Sequence, residues 1–325
     1  MTSSTTSFSQ MRHEYIKNWP NVQPFKEEKD YENKILCFKE EGNELFLPHP
    51  ISYSSDKDHN IAVSFIIDAL DVMPIHPNFA FDFIFRAFDQ YSGKLFNSNN
   101  LKASLDKGID KWVEIISQNA KAEMFFNKLL ENIPQITGQY LQARIFKGYD
   151  GSKNAEDNGG LVLKRLLASE KKGRVTVVHN QKMKKIIEGS FRKFGFNERD
   201  YDYSIRDGSR FLLVYLKKDS VKLPDSNNND EEITVDLVDK MHLLVHGILY
   251  TMRNDRVHGD SSSSFKSSKA SFRTYAHNHF CFISMYFLLH LLMIDPTSNE
   301  MNTLITTMDK NVDNYVEFYK SVLGK

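Results

Sequence analysis

Cysteine is almost absent from the chain: Cys37 and Cys281 are the only two, and they lie far apart. Two distant thiols cannot build a cysteine metal knuckle, and they give no basis for a disulfide framework. Such usage leads us to expect a protein of the reducing cytoplasm. Glycine (15), proline (9) and tryptophan (2) are also scarce in 325 residues. So few chain breakers argue against a turn-rich β protein and for long helices. Net charge is absent as well, with 42 basic residues against 42 acidic ones. Any nucleic-acid surface must therefore be a local patch. Long apolar runs are missing too. The most apolar run, Phe280–Ile294, has about 15 residues against the ~20 a membrane helix needs, and it carries His290. It reads as a buried core helix, and no membrane is expected as a partner. The Ser/Thr-rich start, Met1–Gln10, has no basic segment followed by an apolar one, so it does not read as a signal peptide.

What is present is helical spacing. Hydrophobic residues make up 41% and charged residues 26%, the balance of an ordinary globular chain. Residues 1–57 look irregular, broken by Asn-Trp-Pro, Leu-Pro-His-Pro and Ser-Ser-Asp. Residues 60–92 are richly apolar, and Pro74 and Pro77 divide them into two expected helices. Ile109, Trp112, Val113, Ile116 and Ala120 keep helical steps through residues 101–131, and Pro134 permits a fresh helix start. The segment Gly148–Gly160 is the best internal loop, and we expect the domain boundary there. That gives an N-terminal helical region (1–150) and a C-terminal helical domain (151–325). The loop lacks Gly-x-x-x-x-Gly-Lys-[Ser/Thr], so it is no phosphate-cradling loop. Residues 219–232 read as a second polar link. Arg174–Val178 and Phe211–Leu216 are short apolar runs that fit either a strand or a helix. The expected fold class is all-α, with a helical bundle in the C-terminal half and additional helices before it.

The most informative helix should begin near Thr234, capped by Thr234 or Asp236. Val238, Met241, Val245, Ile248 and Met252 then form an apolar stripe. A neighbouring stripe holds His242, His246, Leu249 and Arg253. On a regular helix eleven residues are close to three turns, so His242 and Arg253 should project alike. Gly259 is a natural terminator and Ser261–Ser264 a loop. A long apolar helix follows from about Ala270 to Ile294, Pro296 stops it, and a last helix runs from about Ser298 to Leu323.

The end of that helix reads Arg253-Asn254-Asp255-Arg256-Val257-His258. A guanidinium and an imidazole suit cleavage of an RNA phosphodiester. The imidazole can move a proton at the 2′-hydroxyl or the 5′-leaving oxygen, and the guanidinium can clamp the phosphate as charge develops. RNA carries its own nucleophile in the 2′-hydroxyl, so the reaction requires no metal. The plainer alternative is a charged helix end, with both cations near the last carbonyls.

Arg253-Asn254, three residues, then His258-Gly259, set between two long apolar helices, resembles the signature of the HEPN family over about residues 234–294. The resemblance implies an all-α bundle and a metal-independent endoribonuclease without cofactor. By position it makes Arg253 and His258 the catalytic pair and Asn254 their support. It further implies a homodimer with both motifs facing one cleft, and a role as a toxin or antiviral effector held by a protein antitoxin or regulator. Family toxins paired with a nucleotidyltransferase often carry Tyr two residues after the His, where this chain has Asp260. Some family members only bind, so a non-catalytic module for RNA, nucleotide or protein is the rival reading.

Other candidates are weaker. His242 and His246 have the i, i+4 spacing of a metal pair, but no glutamate follows His242 in the zincin manner. A packed or cleft-lining role is the better expectation, and no metal is assigned. His277-Asn278-His279 only spells a nuclease name, although Tyr275, His277 and His279 are in reach of lining a cleft. Residues 164–193 hold ten Lys/Arg against Glu170 and Glu188. Lys182, Lys184, Lys185, Arg192 and Lys193 form either an RNA-backbone surface or a solvated face. The acidic stretch from Asp225 to Asp239 either neutralises them or meets a partner.

Overall fold

The computed structural model describes residues 8–52, 54–149, 160–172, 175–194, 201–224, 229–257, 265–266 and 270–323. The chain is all-α, and the only strands among the described residues form two short antiparallel hairpins. Contacts divide it into two compact units, each discontinuous in sequence. The first comprises the described residues of Met1–Tyr91, Arg253–Leu289 and Thr306–Lys325; the second comprises those of Ser92–Met252 and His290–Ile305. The boundary expected between Gly148 and Gly160 falls mostly in residues 150–159, outside the described ones.

The N-terminal stretch is not irregular as expected. It forms α1 (Phe8–Lys17) and α2 (Lys26–Glu40). The signal in α2 is thin but regular: Tyr31, Ile35 and Phe38 are buried at helical steps among charged neighbours. Two helices follow, as Pro74 and Pro77 require. In α3 (Lys57–Val72) the Asp56 carboxylate caps the Asp58 and His59 amides, and α4 (Pro77–Leu95) opens on proline, whose missing N–H is harmless there. In the first unit these elements pack with parts of the later α13 (Phe272–Met293) and α14 (Asn299–Tyr319).

The first unit's core is aromatic. Tyr31 stacks on Tyr275 at 3.7 Å, Tyr275 stacks on Phe265 at 3.9 Å, and the Tyr31 and Tyr319 hydroxyls meet at 3.1 Å. Each such ring contributes roughly 2 kcal/mol or more by leaving water. The Asn311 amide on α14 accepts from the Leu47 N–H at 2.7 Å and donates to its carbonyl at 2.9 Å. It satisfies an extended segment that has no strand partner.

In the second unit the expected 101–131 helix is two, α5 (Leu101–Gln118) and α6 (Ala120–Glu131), because Asn119 ends one and caps the other. Pro134 stands just before α7 (Gln135–Gly148). After α8 (Leu161–Leu166), strands β1 (Ser169–Lys172) and β2 (Val175–Val178) pair, so the 174–178 run is largely strand. Then come α9 (Gln181–Phe194) and α10 (Tyr201–Lys217). The 211–216 run is therefore helical, and its continuous apolarity reflects burial on α10 rather than a strand. A Cβ at Gly138 would stand 2.9 Å from Leu213 Cγ and 3.1 Å from the Ser209 carbonyl oxygen, so glycine lets α7 lie close against α10. The 219–232 segment is not merely a link, since β3 (Ser220–Pro224) and β4 (Asp230–Thr234) pair within it. The informative helix runs through α11 (Leu237–His242), a π-helical stretch (Leu243–Leu249) and α12 (Tyr250–Val257). Asp236 caps it in a reciprocal box with Asp239. Most of α13 is buried all round, as expected for a core helix, and no helix of the described residues is long and apolar enough to cross a membrane.

Candidate functional site

The motif follows a distortion. Leu243–Leu249 is wound as a π-helix, a geometry that winds wider than the α-helix and recurs at functional sites. The straight-helix reckoning from His242 to Arg253 therefore does not hold. The two residues also belong to different compact units. Within the second unit Thr251 Oγ1 donates to the His246 carbonyl at 3.0 Å and accepts from buried Arg165 at 2.8 Å.

In the first unit, Arg253, Arg256 and Val257 share one face of α12, at three- and four-residue steps. Opposite them stands a polar stripe of α4 built the same way, Asp82, Arg86 and Asp89. Together with Phe85 these residues line a cleft of about 450 Å³, a size typical of ligand pockets. Arg256 is committed. Its Nε and Nη2 donate to both oxygens of Asp82 at 2.7 and 2.5 Å, a forked pair that pins α12 to α4. Arg253 is not committed. It is partly exposed, donates from Nη1 to the Asn254 side-chain oxygen at 3.1 Å, and forms no salt bridge among the described residues. Asn254 thus accepts from the guanidinium. Arg86 is exposed, lies 5.8 Å over the Phe83 ring and likewise forms no salt bridge among the described residues. Loss of water around the Asp89 carboxyl pushes its pKa up, while the Arg253 charge pulls it back, for a net rise. Among the described lining residues, three guanidiniums stand against two carboxylates, an excess of one positive charge. His258, the remaining motif residue, lies outside the described residues, one position beyond Val257.

The other expected residues lie elsewhere. Tyr275 and His277 are buried in the first unit and are not among the described lining residues of the cleft. Burial holds His277 down at about 4 and His279 at about 3. In the second unit, His246 is fully buried with Nε2 2.7 Å from Asp106 Oδ1, and the His242 ring is 4.8 Å from the His246 ring. Burial works to raise the Asp106 carboxyl, but bonds from His246 and Lys102 outweigh it and hold it at about 2. Burial lowers His246, despite the Asp106 charge, and lowers His242 to about 4. The pair is then a neutral imidazole donating to a carboxylate, with Nε2 carrying the proton. Among the described residues no group of three or more His, Cys, Asp or Glu is placed to hold a metal ion.

The basic stretch is partly neutralised. Lys182 pairs with Asp236 and Asp239, Lys185 with Glu231 at 2.6 Å, and Arg192 donates to the Pro224 carbonyl at 3.1 Å. Lys184 also has a partner, and Lys193 lies 5.9 Å over the Phe194 ring. The acidic stretch therefore meets the basic one within the second unit. Sequence reasoning missed Asp82, Arg86 and Asp89. Their i, i+4, i+7 spacing on a phenylalanine-rich helix was the available signal.

Comparisons of the chain with family models, with curated proteins and with solved structures return no match.

Proposed function

We propose that the chain is an endoribonuclease that cleaves by attack of the ribose 2′-hydroxyl, with Arg253 and His258 as its catalytic pair. The observation that carries this reading is the state of Arg253. It faces an open cleft whose described lining residues are net positive, donates to Asn254, and forms no salt bridge among the described residues. An arginine serving only to close a helix end would instead be bound to the last carbonyls or to an acid, as Arg256 is. In the reaction the 2′-oxygen bonds to phosphorus and the bond to the 5′-oxygen breaks. The 2′-hydroxyl gives up its proton to a base, and the 5′-oxygen takes one from an acid. His258 serves these transfers, and Arg253 binds the non-bridging oxygens as their charge grows. The products are a 2′,3′-cyclic phosphate and a 5′-hydroxyl.

The family resemblance adds a homodimer with both motifs in one cleft, and a toxin or defence role under a protein antitoxin. Wild-type, Arg253→Ala and His258→Ala proteins incubated with total RNA test the reading. Cleavage by the wild type alone supports it. RNA binding without cleavage by any of the three would make the chain the rival, a non-catalytic RNA-binding module.

A further inference from the structure

The motif pair accounts for one guanidinium in the cleft, yet its described lining residues supply three. Arg256 is spent on Asp82, with its Nε–Nη2 edge taken and its side chain only 12% exposed. Arg86 differs on every count. It sits one turn along α4 from Asp82, is exposed, lines the same cleft as Arg253, and forms no salt bridge among the described residues. The Arg253 charge acts on Asp89. The Phe83 ring beneath the guanidinium limits its wandering. Among the described residues, the cleft therefore presents two guanidiniums without a salt bridge, on two different helices fastened by the Arg256–Asp82 fork. Successive phosphates along an RNA strand are the ligand such a pair fits, because each guanidinium offers a forked donor set to one phosphate.

We propose that Arg86 is a second phosphate-binding residue, gripping an RNA phosphate beside the one held by Arg253. This rests on the reading of the cleft as an RNA site but not on cleavage taking place. On this account α4 supplies binding and α12 supplies chemistry. Arg86 should contribute to affinity equally for cleavable and uncleavable strands.

The test is binding of a single-stranded 2′-O-methyl RNA oligonucleotide, which has no 2′-hydroxyl to attack, followed by fluorescence anisotropy across a salt series. Arg86→Gln and Arg253→Gln should each weaken binding about tenfold and reduce the slope of log K against log salt by ~0.7, the release from one phosphate contact. Arg86 is exposed, so Arg86→Gln should leave stability within ~0.5 kcal/mol, which thermal melts confirm before binding is read. Unchanged affinity and slope in folded Arg86→Gln, or no binding by the wild type, would overturn the proposal. Cleavage assays run in parallel separate the two readings. If wild type and Arg86→Gln cut and bind alike, the nuclease survives and the Arg86 grip fails. If nothing cuts but both substitutions weaken binding, the grip stands and the nuclease fails.

Discussion

His279→Phe should flatten the acid sensitivity of the fold. His279 is fully buried in the first unit, and neither ring nitrogen has a hydrogen-bond partner among the described residues. The rings of Tyr315 and Tyr319 lie at 5.5 and 5.7 Å, and those of Phe46 and Phe282 at 6.4 Å. Burial drives its pKa down to about 3, against ~6.5 in an unfolded chain. Below ~6.5 the unfolded chain binds a proton that the folded one refuses, so the contribution is full above that pH and is lost as pH falls toward 3. The slope for one such group is ~1.4 kcal/mol per pH unit, so by pH 4.5 about 3 kcal/mol is gone. Phenylalanine cannot titrate. Its slightly larger ring shifts stability by a constant amount, but it leaves the pH slope one proton shallower. Urea unfolding at pH 7, 6, 5 and 4.5, read by far-UV circular dichroism, measures both slopes. Parallel curves for the two proteins would show that His279 is protonated or bonded in the fold, and would refute the reasoning.

Arg256→Met should lower stability by ~1–2 kcal/mol, because Asp82 loses its forked partner at a partly exposed site. It should leave the salt slope of RNA binding unchanged, since this charge is already neutralised; a slope that falls would show Arg256 on the RNA. Lys182→Glu should lower stability by ~1 kcal/mol by setting a third carboxylate against Asp236 and Asp239. RNA affinity should not change, and a weaker, less salt-dependent complex would return this segment to the RNA surface.

The helices were legible where apolar residues repeat densely. Residues 60–92 divided at their prolines, and α13 announced itself by continuous apolarity. The N-terminal helices were not, because in α2 three apolar side chains do the packing among many charges. The 211–216 run was ambiguous because burial on all sides erases the period that separates strand from helix. The π-helical stretch has no mark in the sequence, and it invalidated the alignment of His242 with Arg253. Half of the cleft was legible as a motif. The α4 half depends on which helix lies against α12, a long-range fact that spacing cannot supply. The histidines of α13 look like chemistry in the sequence but are core residues in the fold.

The central claim is attack by a ribose 2′-hydroxyl, and a DNA oligonucleotide carrying a single internal ribonucleotide tests it most directly. The protein is incubated with this strand in EDTA, and the fragment ends are identified by mass spectrometry. The account predicts one cut, 3′ to the ribose, leaving a 2′,3′-cyclic phosphate or its hydrolysed 2′- or 3′-phosphate on one fragment and a 5′-hydroxyl on the other. It also predicts no cut in the all-DNA strand, and none by His258→Ala. Cleavage that requires Mg²⁺ and leaves 5′-phosphates, or cutting at deoxyribose positions, would contradict it.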